Sequence, residues 1–110
     1  NLKPKMARVE VTNMASYIRG VTRSHVQVML PVLECADIND KEGGRHYWVF
    51  NVNLRDGRFE VLDSNRKLDN IEPMNTASII AGAVHQLWRK HYPKFSIEHF
   101  QIIDIDVLKQ

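Results

Sequence analysis

Two apolar, β-branched runs, Tyr47 to Leu54 and Phe59 to Leu62, flank Asp56-Gly57 in the stretch GRHYWVFNVNLRDGRFEVLDS, residues 44 to 64. Aspartate-glycine accommodates the positive φ angles of a tight reversal, and aromatic and β-branched residues suit a pleated, half-buried surface, so the stretch predicts a β-hairpin. A lone hairpin is marginal in water; it needs more strands and a covering layer.

The rest of the chain supplies both. Val26 to Glu34 reads as a buried strand in which Pro31 implies an edge, a bulge or two shorter pieces. Asp37 to Gly44 is a polar, turn-permissive loop. After Pro73, the residues Ala77, Ile80, Ala81, Val84, Leu87, Trp88 and Tyr92 recur with a helical period, and Pro93 ends the run. A last strand is predicted over Gln101 to Val107, with Asp104 and Asp106 sharing a solvent face. Towards the N-terminus, Val9-Glu10-Val11-Thr12 alternates briefly, and Met14 to Ile18 forms a helical turn stopped by Gly20. Strands and helices in this order define an α+β domain.

At 110 residues, 44% hydrophobic and 25% charged, the chain has room for one modest core and no second domain. The first residue is Asn rather than Met, and the last strand runs on to the end, so residues 1–110 are expected to be part of a domain. The net charge of +2 comes from scattered Lys and Arg without a basic face interleaved with aromatics, which argues against nucleic acid. No apolar run is long enough to cross a bilayer, so no membrane partner is expected. A single cysteine, Cys35, excludes an internal disulfide and makes a reducing, intracellular compartment the default. The five histidines show no metal-ligand spacing, and Gly43-Gly44 lacks the strand and helix of a phosphate loop; neither metal nor organic cofactor is expected.

His46 and Asp63 stand at the outer ends of the hairpin. An imidazole acts best as a general base when a carboxylate holds its other nitrogen. With Asp56 and Gly57 as a two-residue loop, Asp63 falls opposite Phe50, on the face of His46 but about 13 Å along the strand. A turn centred nearer Leu54-Arg55, or a bulge, closes that gap without changing face. From these two residues alone, ordinary loop chemistry explains the pattern better than catalysis does.

The run His46-Tyr47-Trp48-Val49-Phe50-Asn51-Val52-Asn53-Leu54, followed by Arg58-Phe59-Glu60-Val61-Leu62-Asp63-Ser64, resembles the His-to-Asp hairpin of the ubiquitin-like-protein protease family. These are the cysteine peptidases that mature and remove SUMO, and the likeness is greatest to divergent, transposon-associated plant members. The seventeen-residue separation is shared, as are the segments Leu87-Trp88-Arg89-Lys90-His91-Tyr92-Pro93 and Ile105-Asp106-Val107-Leu108-Lys109-Gln110; the likeness spans roughly residues 27 to 110. It implies a papain-like core with His46 as general base, Asp63 orienting it and Gln110 donating to the oxyanion. It also implies Tyr47 and Trp48 at the substrate channel, a SUMO-like modifier as substrate, and residence in the nucleus or cytoplasm. Tyr47 departs from the Trp of better-known members.

In that family the nucleophile follows the Gln, within Asp-Cys-Gly. Here Cys35 precedes the His and reads as a small buried residue at a strand end. A thiolate–imidazolium pair needs a thiol, so the chain as it stands is expected to lack hydrolysis. The alternative is a non-catalytic remnant or a protein-binding module.

Overall fold

The computed structural model describes residues 8–35, 45–63 and 72–105. Five strands form one sheet in the order β1 (Arg8–Val11), β2 (Gln27–Cys35), β3 (Arg45–Asn53), β4 (Arg58–Leu62) and β5 (Gln101–Ile105). The pairs β1/β2, β2/β3 and β3/β4 are antiparallel, whereas β4 and β5 run parallel. A parallel neighbour requires a crossover, and α2 (Glu72–His91) provides it. The short helix α1 (Met14–Arg19) connects β1 to β2. The molecule is thus a mixed α+β fold.

Period-two alternation assigns Val28, Leu30 and Val32 of β2, Trp48, Phe50 and Val52 of β3, and Phe59 and Val61 of β4 to one face. That face is covered by Ile18 of α1 and by the helical stripe Ala77, Ile80, Ala81, Val84 and Trp88, and all of these are buried. The expected period of α2 is therefore the observed one. Pro73 falls in its first turn, where a missing N–H breaks no helical bond.

Two expectations are refined. β2 is continuous through Pro31, but β1 pairs only with Val32 to Cys35, so β2 is a free edge at the proline. In the hairpin, the last pair is Asn53 with Arg58, giving a four-residue loop, Leu54 to Gly57, in place of the two-residue one. Asn53 causes the difference. Its Oδ1 accepts from the backbone N–H of Asp56 at 2.9 Å, and its carbonyl accepts from Gly57 N–H at 3.0 Å, so the chain turns before Asp56 is reached.

The predicted loop over residues 37–44, together with Asp106, Val107 and Gln110, lies outside the described residues.

Candidate active site

The four-residue loop sets the register that matters. Val49 pairs with Leu62, so the next positions outward are Trp48 and Asp63, and His46 lies two residues beyond. The offset falls from four positions to two, about 7 Å, which two side chains on one face can span. His46 Nε2 lies 2.6 Å from Asp63 Oδ2. The carboxylate side chain is 1% exposed and the imidazole 32%, so the anion is buried and the ring reaches solvent.

An ionised carboxylate only accepts hydrogen bonds. With the carboxylate as acceptor, the tautomer that satisfies this contact carries its proton on Nε2 and its lone pair on Nδ1. A short bond to a buried carboxylate also holds the plane of the ring. An imidazole held in this way is oriented for proton transfer at its other nitrogen.

Glu34 joins the site from β2, where it pairs directly across from His46. Its Oε1 accepts from the indole Nε1 of Trp48 at 3.0 Å. The sequence reading did not single out Glu34. The only signal for it was a charged residue ending an otherwise apolar strand, and its neighbour depends on a pairing that the sequence leaves open.

Of the two aromatics expected at a substrate channel, Trp48 shares the imidazole's face but is 4% exposed and packs edge-on to Phe50. Its ring belongs to the core and supports the site from beneath. Tyr47 belongs to the opposite face and is 64% exposed, so its ring is open to a ligand. Cys35, the chain's single thiol, is the last residue of β2 and pairs in register with Arg45; its side chain lies outside what is described.

On the far face a second polar group is built from residues the sequence reading passed over. Glu60 accepts from Asn51 Nδ2 at 2.8 Å, from Asn53 Nδ2 at 3.2 Å and from Arg58 Nε at 2.7 Å. Burial pushes the Glu60 carboxyl up, but the hydrogen bonds from Asn51, Arg58 and Asn53 and the Arg58 charge outweigh it, so the group titrates below its ordinary 4.5. The sequence signal was the alternation of Asn51 and Asn53 within an apolar strand.

Among the described residues no group of three or more His, Cys, Asp or Glu is placed to hold a metal ion, and no helix is long and apolar enough to cross a membrane. A cleft of about 780 Å³ opens at the other end of the sheet and shares no residue with the His46–Asp63 pair. Compared with known protein families, with characterised proteins and with solved structures, the chain matches none.

Proposed function

We propose that this chain carries the general base of a cysteine peptidase of the ubiquitin-like-protein protease type, on a papain-like core. One observation carries the reading: His46 Nε2 and Asp63 Oδ2, seventeen residues apart in sequence, meet at 2.6 Å across β3 and β4 with the carboxylate buried. Nδ1 of His46 takes the thiol proton, Asp63 fixes the tautomer and stabilises the imidazolium, and Gln110 donates to the oxyanion of the tetrahedral intermediate. The imidazolium then returns the proton to the leaving amine, and water releases the acyl group from sulfur. The substrate is the C-terminal glycine of a SUMO-like modifier. No metal or organic cofactor takes part. The reaction requires a thiol on the Nδ1 side. Cys35 closes β2 ahead of the histidine, so the reading assigns the nucleophile to a cysteine following Gln110.

The test uses the chain extended through such a cysteine and a SUMO-like protein bearing a C-terminal electrophile. The downstream cysteine should be labelled, and His46→Ala should slow labelling by about 100-fold, in the range for losing a general base. Asp63→Asn should slow it as well and should shift the His46 ring nitrogens in ¹⁵N NMR away from the Nε2–H tautomer. Labelling at Cys35, or labelling that is indifferent to His46→Ala, would overturn the assignment. Binding of the modifier without labelling would favour the protein-binding alternative.

A further inference from the structure

The cleft at the opposite end of the sheet has a chemistry of its own. It opens where the segment leading into β2, the β3–β4 loop and the C-terminal end of α2 meet. Leu54, Trp88, Tyr92, Val26 and Phe95 form its apolar wall. Val26 and Phe95 are 52% and 55% exposed, and both line the one cleft. The wall is fixed rather than loose. The indole Nε1 of Trp88 donates to the carbonyl of Phe95 at 2.8 Å, and the ring of Trp88 packs on Tyr92 at 4.8 Å.

Charge surrounds this patch with one sign only. Arg23, Arg55 and Lys94 stand exposed around it, and no carboxylate lines it. Among the described residues, none of these three cations is in an ion pair, whereas Arg58 and Arg89 are. The loop carrying Arg23 is held by His25, whose Nδ1 accepts from the backbone N–H of Thr22 at 2.9 Å. Cations around exposed apolar surface, without internal counter-charge, complement an anionic ligand that has an apolar body. A small ligand binds best where most of its surface is enclosed. Here the cations stand around the apolar wall rather than within it, which suits an extended chain that inserts one side chain and lays its flanks over the rim.

We propose that the cleft docks an acidic segment of a partner polypeptide, with one bulky apolar side chain against Leu54, Trp88 and Phe95 and carboxylates on either side meeting Arg23, Arg55 and Lys94. The surface lies eight strand positions from His46, about 26 Å, and the inference goes beyond the peptidase reading and does not depend on it.

The experiment titrates the 110-residue chain into three fluorescein-labelled peptides: one aromatic residue flanked by Asp and Glu, the same aromatic flanked by Lys, and the acidic peptide with Ser replacing the aromatic. Anisotropy should show binding of the first alone, weakening with added salt. Combining R23E, R55E and K94E should reduce affinity about tenfold or more, as expected when rim charges are reversed; F95A should reduce it several-fold. All four residues are exposed, and the single variant R55E gives a milder reading if the triple variant fails to fold. Amide shifts in NMR should map to residues 21–26, 54–55 and 88–95. Failure of the acidic aromatic peptide to bind, equal binding of the lysine peptide, indifference to charge reversal or shifts confined to the neighbourhood of His46 would each overturn the proposal. So would an aryl sulfonate that shifts the cleft amides when the acidic peptide does not, because the site would then belong to a small molecule.

Discussion

Glu60 and Asp63 are both carboxylates buried at strand β4 or just past its end, and they keep different company. Asp63 meets the imidazole of His46, and Glu60 accepts from two amides and a guanidinium. The second arrangement has a signature in pH. The Glu60 carboxyl is held below its ordinary 4.5, so the folded state binds its proton more weakly than the unfolded state. Its contribution to stability is complete above the ordinary value and disappears as the pH falls through the lowered one. Glu60→Gln, which turns an acceptor towards three donors into a group with donors of its own, should cost about 2 kcal/mol at pH 7. Urea midpoints of the two proteins should differ by a constant amount from pH 7 to about pH 5 and converge in more acid solution, where the wild-type carboxyl is protonated as well. A difference that persists unchanged at the acid end would show that packing, and not charge, holds Glu60 in place.

At the scale of elements, the hairpin is the part that the sequence described best and then misjudged by a single turn. Its existence, its strands and the shared face of His46 and Asp63 followed from β-branched alternation around Asp56-Gly57. The loop length did not, because Asn53 is a strand residue whose side chain also makes the turn, and a polar residue with two roles is ambiguous to any pattern of apolar spacing. That ambiguity accounts for the gap expected between the candidate base and its carboxylate. Glu34 was hidden for another reason: cross-strand neighbours depend on which strands pair, and periodicity carries no such information. The helical stripe of α2 was fully legible because a twenty-residue amphipathic pattern repeats its message many times. Gly57, at φ 69°, tests the loop directly. A Cβ built there would meet Phe100 and His99 only at 3.6 and 3.8 Å, ordinary contact distances. Gly57→Ala should therefore cost about 1–2 kcal/mol through backbone conformation alone, read as a lower urea midpoint with an unchanged m-value. A larger loss would mean that the loop cannot yield around the new methyl group.

Across the whole molecule, the two helices are joined by one phenol. The Tyr92 hydroxyl, just past α2, lies 2.8 to 2.9 Å from the carbonyls of Ile18 and Arg19 at the end of α1 and of Val21 beyond it, and donates its one hydrogen among these acceptors. Tyr92→Phe keeps the packing against Trp88 and removes only that link. It should lower stability by about 1 kcal/mol and speed amide exchange in α1 while leaving β3 and β4 protected; equal acceleration everywhere would mean that α1 has no independent opening. The strands β1 to β4 follow each other in space as they do in sequence, and only β5 waits for a helix to cross over. The tie between imidazole and carboxylate therefore demands almost no search. Closing a loop of four residues is among the fastest events open to a polypeptide, on the order of microseconds for a hairpin, so a nascent chain can bring the two groups together once residue 63 has emerged. What α2 adds, arriving later, is permanence: a contact made early and often becomes one that lasts.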